Sequence, residues 1–259
     1  MNKTIDLRDL SKEELTEALA AHGEKPYRAA QVYAWLYERA VGSIDEMTDL
    51  SIELRAILKE KYTLERPELS GVVKSEDGTR KFSLSLSGGE LVECVLIPAD
   101  DGRFTLCVST QTGCALGCEF CLTGSGGAGR DLRPWEMMAE VLIGAELLKD
   151  EEGEGARITN IVLMGMGEPL LNYDAVLTFI GHLIDPKGFA LAPRRVTLST
   201  AGLVPEILRL GHDAPISLAV SLNATTDEVR SRLMPINKKY PIKKLFKALA
   251  GYPTARRRY

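Results

Sequence analysis

The chain has 259 residues, a formal net charge of −4, 45% hydrophobic residues and 26% charged residues. This length suits one large domain or two modest ones, and the composition excludes disordered, collagen-like and fibrous proteins. No apolar run approaches the ~18 residues of a membrane span, and the amino terminus lacks the apolar stretch of a secretory signal. These features predict a cytoplasmic protein without membrane association.

Helix start signals mark the first part of the chain. Ser11, Pro26, Ser43 and Ser51 each precede apolar residues at helical spacing. Ser11 and Ser43 are each followed by a glutamate at the third position after them, which is the pattern of a capping box. We predict a small helical accessory domain over residues 1–66.

The period of the apolar residues changes to two after this domain. Phe82, Leu84 and Leu86 alternate with serines between turn signals, which predicts a short antiparallel sheet over residues 67–100. Over residues 101–259, strand patterns alternate with helix patterns, an order typical of βα units around a parallel sheet. The four predicted parallel strands cover residues 104–108, 158–164, 196–198 and 216–222.

Glycine-rich or polar segments follow or end each of these four strands. Because the carboxyl ends of parallel strands lie at one edge of a sheet, where ligands bind, we expect these segments to form one pocket. The four strand-end segments cover residues 111–124, 165–169, 199–202 and 221–223.

Cys114, Cys118 and Cys121 have the spacing C-x3-C-x2-C inside the first of these segments. Clustered cysteines without an export signal indicate metal or redox chemistry rather than disulfides. Three thiolates in one tight loop can hold three irons of a [4Fe–4S] cluster and leave the fourth iron open for a substrate. The alternative is a zinc site with Cys107 as the fourth thiolate, although zinc sites more often use two separated C-x2-C pairs.

Several segments together resemble one family of radical S-adenosylmethionine enzymes. The C-x3-C-x2-C loop is the signature of that superfamily, and GCALGCEFCLTG, GMGEPLLN, STAG and SLNATTDEVRSRLMPIN resemble the RlmN family, the adenine-C2 methyltransferases of large-subunit ribosomal RNA. The likeness includes PYRAAQVYAWLY in the helical part. It implies an α/β fold, a partial radical-SAM (βα)6-type barrel with about four of six βα units, preceded by the helical domain and the antiparallel sheet.

The resemblance also implies a cofactor site, residue by residue. Cys114, Cys118 and Cys121 would hold the [4Fe–4S] cluster, whose open iron binds S-adenosylmethionine and cleaves it to a 5′-deoxyadenosyl radical. Gly167 and Glu168 would take the amino group of the methionine moiety. The rest of the S-adenosylmethionine pocket would come from Ser199, Ser221, Leu222 and Asn223.

Two further residues would act on the RNA base. Glu93 matches the proton acceptor of the family, whereas the plain interpretation is a carboxylate on an edge strand. Cys107 matches the resolving cysteine, which forms a transient disulfide during methyl transfer, whereas the plain interpretation is a small core residue. Cys94 has no assigned role, and we expect it in the core.

The sequence departs from the family in one respect. The cysteine that carries the methyl group in the family lies in a stretch similar to ACGQL, and no such stretch follows Cys121. We therefore expect a carboxy-terminally truncated form, which assembles a cluster and cleaves S-adenosylmethionine slowly but does not methylate RNA.

The expected substrates are an adenine in the peptidyl-transferase loop of 23S ribosomal RNA and, by family analogy, the adenine next to the tRNA anticodon. The helical domain and the basic segment 238–258, with eight Lys or Arg and no acidic residue, are the expected RNA-binding regions. We expect a monomer that receives electrons from a protein such as flavodoxin. Two alternatives stay open: an inactive RNA-binding fragment that keeps a cluster or zinc, and the related methyltransferase that acts at C8 of the same adenine.

Overall fold

The structure is a computed structural model and describes residues 5–253. The predicted basic segment extends further, and its residues 254–258 lie outside the described part. Within residues 5–253, none of the helices combines the length and the apolar character needed to cross a membrane.

Helices form most of the first part of the chain, as predicted. Ser11 caps the first helix through its Oγ, which accepts a hydrogen bond from the Glu14 N–H at 3.1 Å, while the Glu14 carboxylate accepts one from the Ser11 N–H at 2.8 Å. A two-stranded parallel pair joins the beginning of this part to its end. The elements are β1 (Ile5–Asp6), α1 (Lys12–Ala20), α2 (Tyr27–Tyr33) with a π-helical continuation (Ala34–Glu38), α3 (Ile52–Lys61) and β2 (Tyr62–Thr63).

The prediction of a helix that starts at Ser43 is wrong, because Ser43 begins only a 3-10 turn at Ile44–Glu46. Its Oγ accepts a hydrogen bond from the Asp45 N–H rather than from the Glu46 N–H that a capping box requires. The next helix, α3, already begins after its own cap at Ser51, whose Oγ accepts from the Leu54 N–H at 3.1 Å. Too few residues therefore separate the two caps for a further helix.

The strands after the helical part form one seven-stranded sheet in the order of the sequence. The first four strands pair antiparallel and the last four pair parallel, with the fourth strand common to both groups. The predicted antiparallel strands are therefore present, but they continue the parallel sheet instead of forming a separate one. The strands are β3 (Glu68–Lys74), β4 (Arg80–Ser85), β5 (Leu91–Pro98), β6 (Phe104–Cys107), β7 (Ile158–Leu163), β8 (Val196–Thr200) and β9 (Ser217–Val220).

Each of the four parallel strands is followed by one or two helices, which confirms the predicted βα units. Gly144 lets the longest helix approach the sheet closely, since a Cβ at this position would lie 3.3 Å from atoms of Leu106 and Phe82. The helices are α4 (Leu122–Ser125), α5 (Pro134–Glu152), α6 (Tyr173–Ile184), α7 (Val204–Asp213), α8 (Asp227–Leu233) and α9 (Ile242–Ala250). Short 3-10 turns lie at Leu7–Asp9, Pro169–Leu171, Pro193–Arg195 and Pro235–Lys238.

The two faces of the sheet have different surroundings. On β5, the buried residues Val92, Cys94 and Leu96 alternate with the more exposed Glu93 and Val95. β5 lies between β4 and β6, so the interpretation of Glu93 as an edge-strand carboxylate is wrong. Its carboxylate belongs to the open face of the sheet, opposite the face that carries the buried core.

A buried imidazole joins the helical part to the core. The Nε2–H of His182 on α6 donates to the Arg8 carbonyl at 2.9 Å, and Nδ1 accepts from the Tyr33 hydroxyl of α2 at 2.8 Å. Burial lowers the pKa of His182 to about 4, so the ring is neutral near pH 7 and can donate and accept at once. The helical part is thus fixed to the sheet by directional contacts as well as by apolar packing.

Candidate active site

The cysteine loop, residues 111–124, follows β6 and is closed by backbone hydrogen bonds. The Cys114 N–H donates to the Gly127 carbonyl at 2.9 Å, and the Cys121 N–H donates to the Cys118 carbonyl at 3.1 Å. Gly113 is required here, because a Cβ would come within 2.5 Å of the Gly127 oxygen. All three clustered cysteines are therefore held in one compact turn near the carboxyl end of β6.

The three thiols of this loop lie close enough to influence one another. Burial raises the pKa of Cys114, and the neighbouring Cys121 contributes in the same direction. Burial also raises the pKa of Cys118, to which Cys114 and Cys121 add, whereas the positive charge of Arg230 acts in the opposite direction. The thiols form one partly buried donor set at the carboxyl edge of the sheet.

Cys107 does not belong to this donor set. Burial raises the pKa of its thiol to about 11, against an opposite effect of the Met164 N–H. Among residues 5–253, no three His, Cys, Asp or Glu side chains converge as they would around one metal ion. A zinc site would require four thiolates at about 2.3 Å from one ion, whereas a cluster places each thiolate on a different iron.

Glu168 connects the segments that follow β7 and β8. One carboxylate oxygen accepts from the Ala201 N–H at 2.7 Å and the other from the Leu170 N–H at 3.2 Å. Its own N–H donates to the Gln111 side chain at 2.8 Å, which ties the same segment to the cysteine loop. Burial raises the pKa of Glu168, while the hydrogen bond from Ala201 lowers it. The Glu168 carboxylate thus has a structural role that the sequence analysis did not include.

Gly167 and Asn223 both have backbone conformations in the left-handed region, with φ of 101° and 57°. A Cβ on Gly167 would lie 2.7 Å from the Gln111 Cβ, so only glycine fits between the cysteine loop and the segment after β7. The segment after β9 is joined to the end of β8, since the Ser221 N–H donates to the Thr200 carbonyl at 2.9 Å.

The carboxyl edge therefore brings together nearly all of the predicted site residues. Three strand-end segments meet the cysteine loop there, as the parallel topology requires. Ser199 differs slightly from the expectation, because it lies within β8 rather than beyond its end. The residues at this edge are Cys114, Cys118, Cys121, Gly167, Glu168, Ser199, Ser221, Leu222 and Asn223.

Glu93 lines a cavity of about 270 Å³ next to the cysteine loop. The other walls of this cavity include Thr112 and Leu122 from the loop region and Met166 from the segment after β7. The Glu93 carboxylate accepts a hydrogen bond from Lys81 at 2.8 Å, and both side chains are about half exposed. A planar group entering the cavity would reach the carboxylate and the loop together.

Two parts of the chain match known families of domains. Residues 5–64 match the Ribosomal RNA large subunit methyltransferase N-terminal domain, and residues 108–252 match the Radical SAM superfamily. Proteins named dual-specificity RNA methyltransferase RlmN are similar throughout: that of Syntrophotalea carbinolica is 50% identical over 96% of this chain, and that of Desulfosudis oleivorans is 47% identical over 100%. The chain belongs to the RlmN family.

A solved structure supports the same family. The crystal structure of a radical SAM methyltransferase from Sphaerobacter thermophilus has a TM-score of 0.87 and 42% identity, over 98% of this chain and 74% of that one. The chain spans 65% of the length of the Syntrophotalea RlmN and 69% of that of the Desulfosudis RlmN, or about two thirds.

Sequence reasoning missed a buried acidic group behind this candidate site. Glu140 on α5 is fully buried, and its Oε2 accepts from the Ser109 N–H at 2.7 Å and from the Cys94 thiol at 2.9 Å. The Ser109 hydroxyl in turn donates to the Glu93 carbonyl at 2.7 Å and accepts from the Met166 N–H at 2.9 Å. Cys94 is in the core, as expected. A glutamate within the apolar stretch WEMMAEVLIG was the available signal.

Glu140 makes stability depend on pH. Burial raises its pKa from an ordinary value of 4.5 to about 8, and its Oε1 has no hydrogen-bond partner within residues 5–253. The folded state therefore keeps a proton that the unfolded state releases above pH 4.5, so this group favours unfolding increasingly as the pH rises toward 8.

We expect Glu140→Gln to stabilise the protein at pH 8, by at most about 4 kcal/mol, and to have little effect near pH 4.5. Chemical denaturation across this pH range measures the difference. Asp150→Asn, on an exposed position of the same helix, is the control and should show no such pH dependence. An equal effect of Glu140→Gln at both pH values would contradict the assignment of a proton to the Glu140 carboxyl in the folded protein.

Proposed function

We propose that this chain provides the cluster-binding and cofactor-binding part of a radical-SAM methyltransferase that acts on C2 of an adenine in 23S ribosomal RNA. The adenine next to the tRNA anticodon is proposed as a second substrate, in line with the dual-specificity name of the RlmN relatives. One observation carries the proposal: the three thiols of the cysteine loop lie at the same sheet edge as the segments of Glu168 and Ser221, which follow β7 and β9.

Cys114, Cys118 and Cys121 are proposed to hold a [4Fe–4S] cluster. When bound, the cluster would supply an electron and an open iron position for reductive cleavage of S-adenosylmethionine. Gly167 and Glu168 would orient the methionine amino group, for which the buried carboxylate has lone pairs beyond the two that accept backbone N–H groups. Hydrogen bonds and packing from the ends of β8 and β9 would complete the pocket; the residues are Ser199, Ser221, Leu222 and Asn223.

Glu93 and Cys107 are proposed as the catalytic residues on the RNA side. Val95 pairs with Cys107 across β5 and β6, and Glu93 lies two residues from Val95, so both side chains are on the same face of the sheet. The half-exposed Glu93 carboxylate can take a proton from a base in the neighbouring cavity. Cys107 would act as the resolving thiol through a transient disulfide with the methyl-carrying cysteine of the family, for which this sequence has no counterpart after Cys121. All five cysteines are free thiols in the structure.

The division of labour along the chain is also proposed. Residues 1–66 would contact RNA, residues 67–100 would present Glu93, and residues 101–259 would hold the cofactors. A small electron-transfer protein such as flavodoxin would supply the electron, and we propose that the chain acts as a monomer in the cytoplasm.

The cluster assignment can be tested by colour and iron content. Anaerobic reconstitution with iron and sulfide should give a brown protein with about four irons per chain. Cys118→Ala should lose the colour, because one of three ligands is removed, whereas Cys107→Ala should keep it, because Cys107 lies outside the donor set. A colourless chain that retains zinc, or loss of colour in Cys107→Ala, would overturn the ligand assignment.

The role of Glu168 can be separated from its structural contacts. Glu168→Gln should weaken S-adenosylmethionine binding by ~1.5–3 kcal/mol, the worth of a charge-assisted hydrogen bond, and should also lower the melting temperature. Anaerobic spectral titration of the reconstituted protein measures the first effect and thermal unfolding of the apoprotein measures the second. A lower melting temperature with unchanged affinity would leave Glu168 only its structural role.

The surface next to the cysteine loop is suited to an RNA backbone. The Glu119 N–H of the loop donates to the Leu233 carbonyl at the end of α8, shortly before the basic segment that begins at Lys238. Within the described residues, the segment from Arg230 to Pro253 contains no acidic residue. Its exposed lysines form the lysine surface, which consists of Lys238, Lys239, Lys243, Lys244 and Lys247.

RNA binding should depend on this lysine surface. Changing Lys243, Lys244 and Lys247 together to Gln should weaken binding to a ribosomal RNA fragment. The salt dependence should also become less steep, by up to ~0.7–0.9 in the slope of log K against log salt for each phosphate that these lysines neutralise. The matched control changes three exposed lysines elsewhere, Lys74, Lys149 and Lys187. Equal weakening in both triple variants would show that net charge alone, and not this surface, determines binding.

A further inference from the structure

Arg230 on α8 is completely buried and uses its guanidinium to bind backbone carbonyl groups. Nη2 donates to the Ala201 carbonyl at 2.7 Å and to the Ser221 carbonyl at 3.1 Å, while Nε donates to the Leu222 carbonyl at 3.0 Å. Nη1 donates to the Asn237 side chain at 2.7 Å. One side chain therefore connects the segments that follow β8 and β9.

No carboxylate lies within 4 Å of this guanidinium among residues 5–253. The nearest acidic contribution is indirect, since the Asn237 amide that accepts from Arg230 donates to the Asp227 carboxylate at 2.9 Å. A buried charge without a direct counter-ion is costly, and arginine keeps its proton in proteins. The positive charge is therefore retained inside the fold and is stabilised mainly by carbonyl dipoles.

The helix that carries Arg230 contacts the cysteine loop, since the Leu233 carbonyl at the end of α8 accepts a hydrogen bond from the Glu119 N–H at 2.9 Å. Gly202 lies against the guanidinium, because a Cβ at this position would be in van der Waals contact with Nη2 at 3.4 Å. The guanidinium thus contacts two segments proposed to bind the cofactor, and its helix contacts the cysteine loop.

We propose that Arg230 is the positioning residue of the cofactor site, fixing the distance between the Ala201 and Ser221 segments and placing a positive charge on the helix that contacts the cysteine loop. The inference rests on the proposed function, because it assigns the segments to S-adenosylmethionine and the loop to a cluster. A positive charge stabilises the more negative of two redox states, so Arg230 would make the cluster easier to reduce. The planar guanidinium donates its hydrogen bonds in a fixed geometry and would therefore hold the two segments of the pocket at a fixed separation.

Two substitutions separate geometry from charge. Arg230→Lys keeps the charge but cannot reach three carbonyls at once, whereas Arg230→Gln removes the charge. The matched controls are Arg232→Lys and Arg232→Gln, at an exposed position of the same helix. The readouts are amide hydrogen exchange of the apoprotein, S-adenosylmethionine affinity of the reconstituted protein, and the midpoint potential of its cluster.

We expect both Arg230 variants to exchange about tenfold faster at the amides of residues 201–203 and 221–224 and to bind S-adenosylmethionine about tenfold more weakly. Only Arg230→Gln should shift the midpoint potential to more negative values, and the Arg232 controls should change neither property. If Arg230→Gln does not fold, Asn237→Ser removes the acceptor of Nη1 together with the Asn237 contacts to Asp227 and Ser231, and should give a smaller increase in exchange at an unchanged potential.

Unchanged exchange at both segments in Arg230→Lys would overturn the positioning role, and an equal potential in Arg230→Lys and Arg230→Gln would overturn the electrostatic role. Failure of the wild-type chain to take up a cluster would contradict the proposed function instead. In that case hydrogen exchange of the apoprotein still tests whether Arg230 fixes the two segments.

Discussion

Backbone groups at the carboxyl ends of the parallel strands must find hydrogen-bond partners where the strand ladder stops, and buried side chains supply them. Gln111 joins the cysteine loop to the segment after β7, Glu168 joins that segment to the end of β8, and Arg230 joins the ends of β8 and β9. These contacts run from one strand end to the next along the whole edge. The site depends on this chain of polar contacts, because loops without it would have no fixed separation.

The same contacts place two opposite charges beside one residue of the backbone. The Glu168 carboxylate and the Arg230 guanidinium bind opposite ends of the Ala201 residue, the first at its N–H and the second at its carbonyl. In the proposed function, the Glu168 carboxylate would orient the ammonium group of the methionine moiety. Removing either side chain would therefore disturb the backbone position and the electrostatics of the site together.

Local sequence patterns predicted the βα order, most helix caps and the meeting of the strand-end segments, because these follow from periodicity and from parallel topology. They did not predict the short turn after Ser43, since the choice of Asp45 over Glu46 as hydrogen-bond donor is decided by the chain that follows. Nor did they reveal Arg230, whose helix position looks solvated until Asn237 and the strand ends enclose it. Burial of a polar group is a tertiary property, and no spacing rule encodes it.

The continuous sheet makes the antiparallel strands part of the proposed site. β5 pairs with β6 in a register that sets Val95 opposite Cys107, and the alternation of side chains then places Glu93 on the same open face. A slip of one residue would turn Glu93 into the helix-packed core and bring Cys94 to the open face. A hydrogen bond of Cys94 opposes this slip, because its thiol donates to the buried carboxylate of Glu140. The same carboxylate accepts a hydrogen bond from the Ser109 N–H. The contact between Cys94 and Glu140 on the core face thereby fixes the register that places the Glu93 carboxylate on the open face.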